Sequence, residues 1–180
     1  MTTIAPGAAA PPFDLPDTDG ARHSLGAGGE AAAPATVVVF TCNHCPYALA
    51  WHDRLLGVAR DYADRGVRTL FVNSNDSERY PRDSYEAMQA RVQADGGWPA
   101  PYLRDEDQEV ARAYGAKTTP DVFVVAADGA IAYRGAPDAD HDDPGQDAAW
   151  LREALDDVLE GRAARRAESK PVGCSIKWKA

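Results

Sequence analysis

Positive charge is scarce in this sequence. Its 19 lysine and arginine residues stand against 28 aspartate and glutamate residues, so the formal net charge is −9 at pH 7. Proteins that bind nucleic acid without sequence preference, or that adhere to anionic membranes, need a basic face. The charge balance argues against both classes, and we expect neither nucleic acid nor a membrane among the partners.

Long apolar runs and a targeting segment are lacking as well. No stretch approaches the roughly 18 consecutive apolar residues that a transmembrane helix requires, so none is predicted. Residues 1–7 contain neither a basic segment nor a long apolar segment, so no secretory signal is predicted. We therefore predict a cytoplasmic location, where paired cysteines are more often catalytic or metal-binding than structural.

Cysteines are few, and only two of them are closely spaced. Cys42 and Cys45 form a Cys-x-x-Cys pair, and Cys174 is the third cysteine. A zinc site normally needs two further ligands at recognisable spacing, but the sequence has no second Cys-x-x-Cys and no His-x-x-x-His. His44, His52 and Cys174 could in principle complete a zinc site, which stays an alternative. We predict that the chain holds no metal and no bound cofactor.

The cysteine pair lies at a predicted junction between a strand and a helix. Apolar β-formers fill residues 35–41, and a helical stripe of apolar residues follows Cys45. Helical spacing places residues i and i+3 on one side, so the two sulfurs can come within bonding reach. Cys42 also lies near helix N–H groups, which predicts a lowered pKa for its thiol. Such a pair suits reversible thiol–disulfide exchange.

The length of 180 residues indicates one domain with terminal appendages. Residues 1–11 are rich in alanine and proline, and we predict a flexible lead-in. Residues 12–161 contain the strand and helix patterns of the domain. Residues 162–180 are basic and then apolar, and we predict that this tail docks onto the domain through Ile176 and Trp178.

Two further stretches bear on the cysteines. Polar residues 73–77 follow the predicted strand 67–72. Because the carboxyl ends of parallel strands share one sheet edge, these residues should lie near the cysteines. We favour ordinary loop and helix-cap roles for them, with proximity to the active site as a secondary role.

The second stretch is an apolar strand that opens with a proline. Residues 118–125 read Thr-Thr-Pro-Asp-Val-Phe-Val-Val, and a tight-turn signal follows at Asp128 and Gly129. Proline removes a donor from the hydrogen-bond ladder and is therefore unusual in a core strand. A cis bond between Thr119 and Pro120 is one hypothesis. A trans proline at the first residue of an edge strand is the other.

The predicted order is strand, Cys-x-x-Cys, helix, strand, helix, Thr-Pro, strand, hairpin, strand and helix. This order resembles the thioredoxin fold, an α/β fold with a mixed central sheet flanked by helices. An N-terminal β-hairpin around residues 17–20, an inserted αβ element before Pro120, and the Cys45-Pro46 dipeptide resemble the redoxin branch. That branch includes alkyl hydroperoxide reductase/thiol-specific antioxidant proteins. More narrowly, two segments resemble bacterial peroxiredoxin-like thioredoxin family proteins. They are residues 40–47 and the tail residues 173–179, which read Gly-Cys-Ser-Ile-Lys-Trp-Lys.

The resemblance, which covers nearly the entire chain, implies a thiol–disulfide oxidoreductase. Cys42 would attack a disulfide in a protein or a small molecule, and Cys45 would resolve the mixed disulfide. A thiol reductant of unknown identity would restore the dithiol. The backbone of Thr119, next to a cis Pro120, would align the substrate chain.

The stretch departs from thioredoxin at several positions. Thr41 stands where thioredoxin has tryptophan, and Asn43 and His44 replace its Gly-Pro dipeptide. A histidine here resembles the strongly oxidising periplasmic type, because protonated His44 would stabilise the Cys42 thiolate and thus the reduced form. A solvent-exposed His44 without a role is the alternative.

A peroxiredoxin-like thiol peroxidase is the second hypothesis. Cys45 by motif position, or Cys42 by exposure, would reduce a hydroperoxide and become a sulfenic acid. The other cysteine or Cys174 would resolve it, although Cys174 could equally be a buried, unreactive thiol. Arg134 would stabilise the thiolate, unless it forms a surface ion pair. A third hypothesis is a non-catalytic redox sensor or zinc-holding module.

Overall fold

The computed structural model describes residues 2–26 and 33–180. Their strands are β1 (Phe13–Pro16), β2 (Arg22–Leu25), β3 (Ala35–Phe40), β4 (Arg68–Asn73), β5 (Tyr102–Arg104), β6 (Thr118–Thr119), β7 (Asp121–Ala126), β8 (Ile131–Gly135) and β9 (Cys174–Ser175). The helices are α1 (Pro46–Ala63), α2 (Tyr85–Ala94), α3 (Glu109–Tyr114) and α4 (Ala149–Leu159). No helix of this part of the chain is long and apolar enough to cross a membrane.

Five strands form the central sheet, in the order β5-β4-β3-β7-β8. β3 pairs in parallel with β4, and β4 pairs in parallel with β5, whereas β7 runs antiparallel to both β3 and β8. Every residue of β3 is buried, as its continuous apolar run predicts for a central strand that helices cover on both faces. The α/β class with a mixed central sheet is therefore confirmed.

Successive side chains of β3 point to opposite faces of the sheet and pack into two separate layers of the core. Val37 and Val39 pack with apolar residues of α1 and α4, whereas Val38 and Phe40 pack with α3 and with Ile176 of the tail. This is the two-residue period of a strand, which sends successive side chains to opposite faces. Because both faces are packed, the carboxyl end of β3 is held in place, and the cysteines follow directly after it.

Both terminal segments contact the domain. The N–H of Ile4 donates to the carbonyl of Tyr114 at 3.2 Å, and the N–H of Gly7 donates to the carbonyl of Ile131 at 2.8 Å. The described part of the lead-in, predicted to be flexible, is thus hydrogen bonded to the domain. At the other end, β9 of the tail pairs antiparallel with β6, and the side chain of Ile176 is buried.

The segment from residue 81 to 94 is not one continuous helix. A single 3₁₀ turn spans Pro81–Asp83, Ser84 then adopts an extended conformation, and α2 starts at Tyr85. Ser84 caps α2, because its hydroxyl accepts a hydrogen bond of 3.1 Å from the N–H of Ala87. The interruption turns Asp83 toward the cysteine-bearing turn instead of leaving it on a helix surface.

Candidate active site

The two cysteines occupy the turn between β3 and α1. The N–H of Thr41 donates to the carbonyl of Val72 at 2.8 Å, so the parallel ladder continues one residue beyond β3. Cys45 is the N-cap residue of α1, and Pro46 begins the helix. Proline suits a first helical position, where its missing N–H has no helical partner to lose. The predicted strand-to-helix junction is therefore present in the structure.

Thr119 contacts both sulfurs from the far side of the site. The peptide bond between Thr119 and Pro120 is cis. The Thr119 hydroxyl oxygen lies 3.2 Å from Cys42 Sγ, and the Thr119 carbonyl oxygen lies 3.1 Å from Cys45 Sγ, which donates to it when Cys45 is protonated. Cys42 and Cys45 are each only 1% exposed. The fold thus brings both thiols and the residue before the cis-proline into one buried cluster.

Cys45 lies between two other thiols. The thiols of Cys42 and Cys174, together with the N–H groups of Ala48 and Cys174, lie around the Cys45 sulfur and lower the pKa of Cys45 despite burial. The carbonyl of Thr119 favours the protonated form, but these four donors outnumber it. Burial and the bond to Cys45 raise the pKa of Cys174 to about 11. Among the three thiols, these surroundings favour ionisation of Cys45.

The prediction of a lowered pKa at Cys42 is wrong. Its thiol donates to Cys45, and this bond, with burial and the nearby negative charge of Asp83, raises the pKa of Cys42 well above its usual range. The hydroxyl of Thr119 and the N–H of His44 oppose this shift but do not overcome it. Of the two cysteines, Cys45 lies closer to the N-terminus of α1, because it is the N-cap residue of that helix.

Three residues that the sequence analysis missed hold the turn between the cysteines. The N–H of Asn43 donates to Asp83 Oδ1 at 2.7 Å, and the Tyr102 hydroxyl donates to Asn43 Oδ1 at 2.9 Å. Arg91 donates to the carbonyl of Cys42 at 3.0 Å. These partners come from the segment inserted between β4 and α3, far along the chain from the cysteines.

The polar loop after β4 supports Asp83. The side-chain amides of Asn73 and Asn75 donate to the two oxygens of Asp83 at 3.1 and 2.9 Å, and all three residues are buried. The loop therefore has a larger part in the site than the cap role that we favoured. The position of this loop after a parallel strand was the sequence feature that placed it near the cysteines. No feature of the sequence around Asp83 predicted that Asp83 belongs to the site.

His44 has defined neighbours and is not a free surface residue. Its Nδ1 lies 2.7 Å from Asp83 Oδ2, although its N–H direction is not aligned for a hydrogen bond. Its ring stacks parallel to that of Tyr80, with 6.1 Å between the ring centroids. When protonated, His44 would place a positive charge close to Cys42.

Two groups in the described part of the chain have potential metal ligands within 4.8 Å of one another. One is Cys42, His44 and Asp83, and the other is the exposed run 140–142. Sulfur, nitrogen and oxygen donors of the first group suit zinc. The oxygens of Asp83, however, already accept hydrogen bonds from three amide groups. His52, considered as a zinc ligand, instead pairs with the aspartate that caps the end of α2.

Cys174 occupies the strand edge beside Thr119. The pairing of β6 with β9 places Thr119 opposite Cys174 and Thr118 opposite Ser175. We predicted that the Thr119 backbone would align a substrate chain. In this structure the chain's own tail takes that position, so an external strand could pair there only after the tail has moved.

Arg134 forms an ion pair, which was the alternative to a thiolate-stabilising role. Its guanidinium forms an ion pair of 3.1 Å with Glu168 and lies over the ring of Phe123. Arg134 itself is buried, so the pair is only partly on the surface. Its charge acts instead on Asp121, a fully buried carboxyl whose pKa burial raises to about 7, with Arg134 opposing the shift.

Comparison with known proteins gives the family. The sequence model of the Redoxin family matches residues 5–150. No curated protein matches the chain. An uncharacterized conserved protein from Geobacillus kaustophilus is 40% identical, with a TM-score of 0.91 over 99% of this chain and 94% of that one. A hypothetical protein from Sinorhizobium meliloti 1021 is 36% identical, with a TM-score of 0.90 over 99% of this chain and 97% of that one.

A more distant structure shares the fold. A putative thioredoxin from Neisseria meningitidis is 22% identical, with a TM-score of 0.66 over 87% of this chain and 92% of that one. Because the family match covers most of the sequence and the sheet, helices and cysteine junction agree with it, the predicted family and fold are confirmed. This chain belongs to the redoxin family and has a thioredoxin-like fold.

Proposed function

We propose that this protein is a thiol–disulfide oxidoreductase that uses Cys42 and Cys45 as its redox couple. The observation that carries the proposal is the contact of both sulfurs with a single residue, Thr119, at 3.2 and 3.1 Å. The two cysteines also pack together in one buried cluster. Sulfurs held this close can form a disulfide with little movement of the backbone.

The reaction starts at Cys45, the thiol whose ionisation the surroundings favour. Cys45 attacks one sulfur of a substrate disulfide, a mixed disulfide forms, and the first substrate sulfur leaves as a thiolate. Cys42 then loses its proton and attacks Cys45 Sγ, which releases the second substrate sulfur. Two electrons pass to the substrate, and an external thiol reductant restores the dithiol.

This order exchanges the roles predicted for the two cysteines, because the lowered pKa is at Cys45. Cys42 nevertheless has to become a thiolate in the second step. Protonated His44 would favour that thiolate, since the ring is held beside Asp83 and Tyr80 on the Cys42 side of the turn. The substrate can be a small-molecule disulfide or a protein disulfide that reaches the buried pair.

The test is the reaction of the reduced protein with hydroxyethyl disulfide, followed by stopped-flow and by mass-spectrometric mapping of the product. We expect a Cys42–Cys45 disulfide, formed about tenfold or more faster than glutathione reacts with the same probe. Cys42→Ser/Cys174→Ser should stop at the mixed disulfide on Cys45. The matched control is Ser175→Ala, on the exposed side of the tail. Absence of the Cys42–Cys45 bond, or an unchanged rate in Cys45→Ser, would refute the proposal.

A thiol peroxidase is a second candidate, favoured by the lowered pKa of Cys45 and by Pro46 directly after it. The Cys45 thiolate would attack a hydroperoxide, taking one oxygen to become a sulfenic acid while an alcohol or water leaves. Cys42 would then displace water and form the disulfide. Hydrogen peroxide in the same stopped-flow experiment separates the two, because only a peroxidase reacts orders of magnitude faster than a free thiol.

A further inference from the structure

We propose that Cys174 is a third redox-active residue, which exchanges the buried Cys42–Cys45 disulfide for a Cys45–Cys174 disulfide. The oxidised state would thereby pass from the core of the site to the half-exposed tail. This inference rests on the proposed function, since it needs the Cys42–Cys45 couple to be oxidised first. It makes the tail a built-in exchange partner that occupies the position expected for a substrate strand.

Strand pairing sets the position of Cys174. Cys174 is the register partner of Thr119, which contacts both sulfurs of the couple. Close approach of the two strands depends on Gly173, because a Cβ atom there would lie 2.2 Å from the carbonyl oxygen of Thr119. Cys174 consequently packs against the buried cluster that contains Cys42 and Cys45.

The residues after Cys174 anchor the tail firmly. Ile176 is buried in the core layer beneath α3. The N–H of Lys177 donates to Asn75 Oδ1 at 2.9 Å, and its carbonyl accepts from the N–H of Asp76 and from Gln108 at 2.8 Å each. The tail is thus tied to the same polar loop that holds Asp83. Cys174 is a fixed neighbour of Cys45, not a residue on a free arm.

The exchange step balances within the protein. Starting from the Cys42–Cys45 disulfide, the Cys174 thiol gives up its proton and its sulfur attacks Cys45 Sγ. A Cys45–Cys174 bond forms, the Cys42–Cys45 bond breaks, and Cys42 leaves as a thiolate that takes up a proton. No electrons enter or leave. Cys45 is the shared sulfur because it contacts the carbonyl of Thr119, the register partner of Cys174, and because its charge acts on the Cys174 thiol.

The exchange would move one end of the disulfide from a buried sulfur to a more exposed one. Cys42 and Cys45 are 1% exposed, whereas Cys174 is partly exposed in the tail. A thiol reductant can therefore reach the sulfur of Cys174 more easily than either sulfur of the buried couple. Attack on Cys174 in the Cys45–Cys174 disulfide releases Cys45 as the thiolate that its surroundings favour, and a second reductant thiol frees Cys174.

The first test traps the exchange in a variant. Cys42→Ser is treated with oxidised glutathione, alkylated and mapped by mass spectrometry. We expect Cys45 to form a mixed disulfide with glutathione, which Cys174 displaces to give a Cys45–Cys174 bond. Cys42→Ser/Cys174→Ser should stay glutathionylated at Cys45. A Cys42→Ser protein that also stays glutathionylated would overturn the inference.

The second test separates this inference from the proposed function. In Cys174→Ser, the reaction with hydroxyethyl disulfide should still yield the Cys42–Cys45 bond. Its reduction by glutathione should be about tenfold slower than in wild type, because the relay to the surface is lost. Ser175→Ala is the matched control and should match wild type. Reduction of Cys174→Ser at the wild-type rate refutes the relay alone, whereas failure of wild type to form the Cys42–Cys45 bond refutes the proposed function.

Discussion

The carboxylate of Asp83 accepts a hydrogen bond of 2.7 Å from the backbone N–H of Asn43, which lies between the two cysteines. The same carboxylate accepts from the side chains of Asn73 and Asn75, and it lies beside His44. The conformation of the Cys-x-x-Cys turn is therefore fixed by the segment that follows β4. In this redoxin the segment after β4 is part of the active site.

Replacing Asp83 by alanine should destabilise the protein and loosen the turn. Three donors, two of them buried, would lose their acceptor, and each unsatisfied buried group costs about 1–3 kcal/mol, with partial relief from rearrangement. We expect the free energy of unfolding to fall by about 2–4 kcal/mol in urea titrations of the reduced protein. Asp53→Ala, an exposed aspartate of α1, is the control. A loss no larger than the control's would show that the network does not hold the turn.

The assignment of the thiolate to Cys45 predicts the ultraviolet titration of the reduced protein. Thiolate absorbance should persist as the pH falls below the usual thiol range, because the surroundings of Cys45 lower its pKa. Cys42→Ala removes an S–H donor and should raise the midpoint of the titration, whereas Cys42→Ser keeps a hydroxyl donor and should raise it less. A single midpoint in the usual thiol range near 9 in wild type would contradict the assignment.

Local patterns were sufficient to predict the framework of this site. The apolar run of β3, the helical stripe of α1 and the proline that precedes β7 each lie within a few neighbouring residues. The polar loop at Asn73 and Asn75 could be placed near the cysteines from the topology of parallel strands alone. Family membership followed from the same short stretches.

Contacts between distant residues could not be predicted in this way. Asn43 and Asp83 are 40 positions apart, and nothing in the local sequence links them. β9 is only two residues long, too short for a recognisable strand pattern, so its pairing with Thr119 was not predicted. The pKa order of the cysteines depends on burial and on Cys174, which the spacing of Cys42 and Cys45 does not contain.

Asp121 should make the stability of the protein pH-dependent. Burial raises its pKa from an ordinary value of 3.8 to about 7, so between these values the native state holds a proton that the unfolded state has released. The contribution of Asp121 to the free energy of unfolding therefore falls as the pH rises through this window. Asp121→Asn cannot titrate, yet its side-chain oxygen can still accept from the N–H of Lys117.

Urea titrations of wild type and Asp121→Asn at several pH values from about 4 to about 8 check this expectation. The variant should gain stability relative to wild type as the pH rises, and Asp53→Asn should show no such trend. A difference between wild type and Asp121→Asn that stays constant with pH would mean that the carboxyl titrates alike in the folded and unfolded chains.

Replacing Gly173 should displace the tail from the cysteine cluster while leaving all three cysteines in the sequence. An alanine Cβ there would lie 2.2 Å from the carbonyl oxygen of Thr119 and 3.2 Å from the nitrogen of Pro120, so β9 has to move away from β6. We expect alkylation of Cys45 by iodoacetamide in reduced Gly173→Ala to be about tenfold faster than in wild type. The pKa of Cys45 should also rise, because it loses the donors of Cys174. Val172→Ala, at an exposed neighbouring position, is the matched control. Alkylation of Gly173→Ala at the wild-type rate would mean that the tail does not shield the couple, and access would then have to come from the turn at Asn43.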